Sequence, residues 1–183
     1  MRLPMLAREQ MNAAQRAAYD GTVAGKRGRM APPHMAWLHS PEFLDRAQRV
    51  GEFIRFDTCL PAPLLEMAIL ITGRHFGSHY EWYAHRKLAE AAGLDASIIN
   101  AIRDEKTPAL ADPKARAIYD YATTLLRTRR VSQAQHDAVV AAFGNRGVVE
   151  LVGTVGYYSL VSLTLNAFEV PLPDGEKSEI PGA

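Results

Sequence analysis

The stretch from Leu65 to Gly93 concentrates ionisable and aromatic side chains inside an otherwise apolar helical pattern. The side chains in it that could do chemistry are Glu66, His75, His79, Glu81, Trp82 and His85. Ordinary core helices avoid so many such groups, because an unpaired buried charge is costly. We therefore interpret this stretch as a candidate active-site hairpin.

Glu81 and His85 lie four residues apart, so their side chains share one face of a helix. A carboxylate there can bond the imidazole, fix its tautomer and raise its pKa. The pair is then a candidate general acid and base, although a solvated surface pair has the same spacing. For the neighbouring Trp82, a place in the core or an interface competes with a role as a substrate platform.

His75 and His79 are also four residues apart, and together with His85 they could suggest a metal site. Gly77 and Ser78 are predicted to interrupt the helix between them, which removes the shared face, so we expect no bound metal. Ser78 itself could be a nucleophile beside a histidine. A helix cap is its simpler role.

Composition bounds the class of protein. The chain has 183 residues, 48% of them hydrophobic, which favours one domain with a substantial core. The formal net charge is +1, so the chain has no excess of positive charge with which to bind nucleic acid or an acidic membrane surface. Cys59 is the only cysteine, so no internal disulfide forms, and we expect a buried or idle thiol in a reducing cytoplasm. The first ten residues lack the apolar run of a secretory signal, which also indicates a cytoplasmic protein.

Helical periodicity covers most of the chain, and no strand pattern of convincing length is present. We predict an all-α protein of about eight helices. Their approximate spans are 13–24, 42–56, 64–76, 79–92, 96–104, 114–129, 132–143 and 146–168. Asn12 and Gln15 have the pattern of a capping box before the first helix, and the stretch from Gly25 to Pro33 is predicted as a loop. We predict a single domain with an N-terminal extension over 1–39, a core over 40–173 and an extended, partly disordered tail over 174–183.

The last helix is long and apolar enough to raise the question of a membrane span. Polar residues such as Glu150, Thr154 and Asn166 recur through it, so we reject a span and expect no membrane partner. A helix that is apolar nearly all round is typical of a bundle centre or a subunit interface. Gly153 and Gly156 would allow close helix approach.

The order Glu66, eleven residues, Ser78-x-x-Glu81-Trp82-x-x-His85 resembles the carboxymuconolactone decarboxylase and alkylhydroperoxidase D-like (AhpD-like) superfamily. Its peroxidase branch has a glutamate, then Cys-x-x-Cys, then a histidine four residues later. Here Ser78 and Glu81 occupy the two cysteine positions, and neither can attack a peroxide or resolve a disulfide. The decarboxylase branch tends to carry Glu-aromatic-x-x-His, which is similar to the segment from Glu81 to His85.

The resemblance covers the chain most strongly from about Ser40 to Pro173. It implies the helical bundle of this superfamily and a homo-oligomer, trimeric or hexameric. It also implies a cofactor-free lyase or isomerase acting on a small carboxylated lactone or ring acid. By its motif, His85 and Glu66 are the proton-relay histidine and glutamate, and Glu81 orients His85.

Substrate-binding residues follow from residue type and place. Arg74 is a candidate for gripping a substrate carboxylate. Tyr157, Tyr158 and Asn166 could donate hydrogen bonds to a developing enolate. Ser78 and Trp82 complete the candidate substrate site. Two other functions stay open: an antioxidant peroxidase of the AhpD type, disfavoured by the missing cysteine pair, and a non-catalytic ligand-binding oligomer.

Overall fold

A computed structural model describes residues 1–181 and is helical with no strand among them. The helices are α1 Ala13–Ala24, α2 Pro32–Trp37, α3 Pro41–Phe56, α4 Ala62–His75, α5 His79–Ala91, α6 Ala96–Arg103, α7 Pro113–Thr128 and α8 Gln133–Ala167. A short 3-10 turn, Arg8–Gln10, precedes them. The all-α prediction with about eight helices is confirmed.

Side-chain caps start several helices where the sequence predicts them. The Asn12 side chain accepts a hydrogen bond from the Gln15 amide at 2.8 Å, and the Gln15 side chain accepts one from the Asn12 amide at 2.9 Å. Asp95 and Asp112 accept from amides two residues ahead, at 2.7 and 2.9 Å, and open α6 and α7. These bonds satisfy amides that a helix N-terminus leaves without partners.

One feature differs from the prediction and one agrees with it. Pro32 and Pro33 begin α2 instead of closing a loop, because proline has the φ of a helix and lacks the amide that a first turn leaves unpaired. Helix α8 is interrupted at Gly144 (φ 69°, ψ 179°), whose backbone is not helical. The predicted division into helices over 132–143 and 146–168 is therefore confirmed, and the label α8 covers both segments.

The described chain divides into two compact units. The first contains residues 1–58 and 164–171, and in it α1 and α2 pack on α3. Buried Trp37 donates a hydrogen bond to the Thr164 hydroxyl at 2.9 Å, and the Arg2 side chain donates to the Ala167 carbonyl at 3.0 Å. The prediction of one domain with an extension over 1–39 stays a prediction.

The second unit contains residues 59–163 and the segment from Leu172 onward. Its centre is α4, which packs against α5, α6 and α7. Every residue of α4 from Leu64 to Gly73 is buried, which explains why this helix is apolar nearly all round. A polar side chain on α4 therefore lies inside the protein, and Glu66 is one.

Helix α8 is long and apolar enough to span a membrane by length and composition. However, 61% of its most apolar 18-residue window is buried inside the protein. Burial of this extent is characteristic of a core helix in a bundle, as the sequence predicts.

Candidate active site

The turn between α4 and α5 makes the two helices neighbours. Gly77 has φ 58°, in the left-handed region that glycine adopts without strain. The Ser78 amide donates to the Gly73 carbonyl at 2.9 Å and closes the turn. A Cβ on Gly73 would lie 3.4 Å from Cγ of Glu81, so α5 approaches α4 closely at this point. The hairpin predicted around Gly77 and Ser78 is thus present.

His85 lies between two carboxylates. Its Nδ1 is 2.7 Å from Oε2 of Glu66 on α4, and its Nε2 is 2.9 Å from Oε1 of Glu81 on α5. The three side chains are only 5–9% exposed. The Glu81–His85 pair is therefore buried, and the alternative of a solvated surface pair is wrong. We call Glu66, Glu81 and His85 the triad.

The two contacts of the imidazole differ in kind. The one to Glu66 is an aligned hydrogen bond. Oε1 of Glu81 is buried and makes no aligned hydrogen bond, so its 2.9 Å approach to the ring is an ionic contact. A carboxylate facing each ring nitrogen favours the imidazolium, which carries a proton on both.

The protonation of His85 is decided by competing effects. Burial alone would lower the pKa of His85, but the charge and close contact of Glu81 and the hydrogen bond to Glu66 outweigh it. Together they raise the pKa of His85 to about 8. At neutral pH the triad therefore holds a proton donor in a site closed to bulk water.

Two tyrosines of α8 form an aromatic wall beside the triad. The ring of Tyr158 meets the ring of His85 edge to face, with centroids 5.0 Å apart. Tyr157 packs on Tyr158 in the same manner at 5.4 Å. Both tyrosines are buried. The structure thus brings these two predicted residues of α8 to the triad, Tyr158 directly and Tyr157 through its neighbour.

Ser78 is at the N-cap position of α5, but its hydroxyl bonds no amide there. The expectation that it caps the helix by its side chain is wrong. Its Oγ is fully buried and has no hydrogen-bond partner among the described residues. A buried hydroxyl without a partner is costly, and this one lies one helical turn from Glu81 on the same helix.

Trp82 is 1% exposed and belongs to the core, which was one of its two expected roles. Its indole N–H donates to Oε2 of Glu179 at 3.3 Å. Glu179 belongs to the segment 172–181, which overlaps the tail over 174–183 that was expected to be partly disordered. Within the described residues that segment lies against α5, and Gly182 and Ala183 of the predicted tail fall outside them.

Polar contacts connect the segment 172–181 to α5. Arg86 pairs with Glu179 at 2.5 Å, and Tyr83 donates to Glu176 at 2.9 Å. The apolar side chain of Ile180 is 4% exposed. Sequence reasoning missed this element because its composition, rich in proline, glycine and charge, is that of a disordered tail. The one available signal was the isolated apolar residue Ile180 among polar neighbours.

Other predicted residues lie elsewhere. Arg74 donates from Nε to the Arg103 carbonyl at 2.8 Å and pairs with Glu105 at 3.0 Å, beside a separate cavity. The structure does not bring it to the triad. Asn166 is exposed and belongs to the first unit, contrary to the buried position expected for it.

His75 and His79 do not join the triad either. His75 lines the cavity beside Arg74, and His79 contacts the hydroxyl of Ser178. Helix α4 ends at His75 and α5 begins at His79, so the predicted break between them is confirmed. Among residues 1–181, no three His, Cys, Asp or Glu side chains are arranged to hold a metal ion.

Two solved structures resemble this chain in three dimensions. A protein of unknown function from Agrobacterium tumefaciens, a candidate antioxidant defence protein AhpD, matches with a TM-score of 0.66. Its sequence identity is 14% over 75% of this chain and 94% of that chain. The debrominase Bmp8, in its apo form, matches with a TM-score of 0.69 and 12% identity over 96% of this chain and 90% of that chain. The chain has the AhpD-like fold.

At identities of 12% and 14% the likeness shows the AhpD-like fold alone. No protein-family model and no curated protein matches the sequence. The two relatives carry different descriptions, an antioxidant candidate and a debrominase, so the fold does not determine the reaction. Function must be argued from the triad and its surroundings.

Proposed function

We propose that this protein is a cofactor-free acid–base catalyst that decarboxylates or isomerises a small carboxylated lactone or ring acid, as carboxymuconolactone decarboxylases do. The observation that carries the proposal is His85, buried between Glu66 and Glu81 with its pKa raised to about 8. A pKa close to the working pH suits a group that must both give and regain a proton.

The chemistry balances without a co-reactant. Loss of carbon dioxide leaves the electron pair of the broken C–C bond on the substrate as a dienolate. The His85 imidazolium gives one proton to a carbon of this dienolate and becomes neutral. A proton from solvent, passed through Glu66, restores the imidazolium. In an isomerisation, neutral His85 first removes a proton and then returns it to another carbon.

The surroundings support the same role. Tyr158 covers one side of the His85 ring and Tyr157 packs on Tyr158. In this proposal their hydroxyls donate to a developing enolate. The buried Ser78 hydroxyl is a further polar group for the substrate. Trp82 has a positioning role in this proposal, because it connects α5 to the segment 172–181.

The test is a panel of carboxylated lactones labelled with carbon-13 at the carboxylate, followed by NMR of the released bicarbonate. We expect release by the wild type and a fall of at least about 100-fold in His85→Gln and in Glu66→Gln, the loss typical of acid–base groups. Glu90→Gln, on the exposed face of α5, is the matched control and keeps the wild-type rate. Near-wild-type rates in both triad variants contradict the mechanism. Release from no member of the panel favours a non-catalytic ligand-binding protein.

A thiol peroxidase is the competing enzyme class, and Cys59 argues against it. Cys59 is exposed, so of the two expected alternatives, a buried or an idle thiol, the buried one is wrong, and it is the only cysteine of the chain. Partial desolvation and the neighbouring Glu150 carboxylate raise the pKa of its thiol, which disfavours the reactive thiolate. In a peroxide assay with a thiol reductant, we expect wild type and Cys59→Ser to show the same background rate. Turnover that Cys59→Ser abolishes would restore the peroxidase hypothesis.

A further inference from the structure

A cavity of about 400 Å³ lies in the second unit beside α4, α7 and the end of α6. This volume is in the range of pockets that hold small organic ligands. None of the triad residues lines it. The cavity is therefore not part of the triad site.

Helix α4 separates the cavity from the triad. At about 100° per residue, Ile71 and His75, which line the cavity, lie about 140° and 180° round α4 from Glu66. Gly73 lies within about 20° of Glu66 and faces Glu81 on α5. The triad and the cavity are thus on different faces of the same helix.

The lining of the cavity is cationic on one side. Three cations, Arg74, Lys106 and Arg127, meet one carboxylate, Glu105. Arg74 is paired with Glu105 at 3.0 Å, and Lys106 is 3.5 Å from Asp104. Arg127 has no ion-pair partner among the described residues. The cavity therefore carries an uncompensated positive charge that an anion would neutralise.

The rest of the lining is suited to an organic body. Ile71, Ile102 and Leu126 supply apolar surface, and Tyr119 supplies an aromatic ring. The hydroxyl of Thr123 is buried and has no hydrogen-bond partner among the described residues. A buried polar atom without a partner favours a ligand that offers one.

The carboxylate in the wall of the cavity is positioned by the end of α6. Glu105 has φ 57°, the left-handed conformation that commonly ends a helix, and the next amide, that of Lys106, donates to the Ala101 carbonyl at 2.8 Å. This helix end places the Glu105 carboxylate where it pairs with the Arg74 guanidinium in the wall of the cavity.

We propose that this cavity binds a small organic anion, a carboxylic acid with an apolar body, at a site separate from the triad. Its carboxylate bonds Arg127 and Lys106, and its body lies on the isoleucines and Leu126. Inorganic phosphate supplies negative charge but no apolar group, and it is too small to fill the cavity. The site extends the proposed function and does not depend on it.

The test is NMR titration of the full chain with benzoate, benzamide and inorganic phosphate. We expect saturable benzoate binding with a dissociation constant on the order of 1 mM or lower, with amide shifts centred on Ile102, Thr123 and Leu126. Benzamide and phosphate bind at least about 10-fold more weakly. Shifts centred elsewhere, or equal binding of all three probes, overturn the proposal.

Charge variants make the test specific. Arg127→Gln weakens benzoate binding at least about 10-fold, whereas Arg130→Gln, an exposed arginine outside the cavity, does not. Glu105→Gln releases Arg74 and tightens binding. Equal losses in the two arginine variants, or weaker binding in Glu105→Gln, contradict the assignment. His85→Gln keeps the benzoate affinity, so failure here and failure of the proposed catalysis are distinguishable.

Discussion

Nδ1 of His85 lies 2.7 Å from Oε2 of Glu66, although the two residues are 19 positions apart and on different helices. The bond therefore exists only when α4 and α5 are packed together. Because part of the proton affinity of His85 comes from this packing, beside the larger effect of Glu81 on its own helix, the proton state of the site and the stability of the hairpin are linked.

Stability should fall as pH rises from 6.5 to 9. The pKa of His85 is about 8 in the folded protein against an ordinary value of 6.5. A raised pKa contributes stability that is fully present below 6.5 and is lost as pH rises through 8, on the order of 2 kcal/mol. Urea unfolding at several pH values measures this loss of stability. The experiment uses a Cys59→Ser background, because the Cys59 thiol also titrates.

His85→Gln is the comparison for that measurement. In this variant the free energy of unfolding should change less between pH 6.5 and 9, since the glutamine does not titrate. If the free energy of unfolding falls equally with pH in the two proteins, groups other than His85 cause the change.

The segment 172–181 should depend on Ile180 for its place on α5. Ile180 is 4% exposed, whereas the ion pairs of Glu176 and Glu179 are part-exposed and contribute little. Ile180→Ala should therefore raise amide exchange throughout the segment and shift Trp82 emission to the red in a Trp37→Phe background. Lys177→Ala, an exposed change in the same segment, is the control. Unchanged exchange in Ile180→Ala would mean that the polar contacts suffice.

One face of α8 carries exposed apolar side chains. Val149, Val152 and Leu163 are 71%, 41% and 53% exposed, and Gly153 and Gly156 lie between them with open space around them. Their spacing places them on one stripe of the helix, and exposed apolar stripes mark interfaces. We propose that a second copy covers it in a trimer or hexamer.

Light scattering after size-exclusion chromatography tests the assembly. Val152→Glu should yield monomers, because a charge within the stripe would be buried at the interface. Ala141→Glu, at an exposed position of α8 outside the stripe, should leave the assembly intact. A monomeric wild type would contradict the proposal.

Local signals made much of the fold predictable. Asn12, Asp95 and Asp112 act through bonds to amides two or three residues away, so the sequence shows helix starts directly. The i, i+4 spacing of Glu81 and His85 is likewise a local signal, because both residues lie on one helix. Tertiary contacts decided the rest. Whether Arg74 faces the triad or α6 depends on the packing of α4, which is apolar nearly all round, so its sequence periodicity does not show which face is exposed.

The contact of Glu66 with His85 could be expected only from the resemblance in spacing, since no local rule joins residues on separate helices. Ser78 shows the converse. Its type and position predict a cap, yet the hydroxyl is buried without an amide partner. Departures of this kind from local rules are expected where a site binds something else.

Two buried carboxylates hold His85 as a proton donor near neutral pH. NMR titration of the His85 imidazole tests this role most directly. We expect a pKa of about 8 in the wild type, a lower value in Glu81→Gln and in Glu66→Gln, and no change in Glu90→Gln. A His85 that titrates at an ordinary pKa and does not respond to either triad substitution would contradict the account.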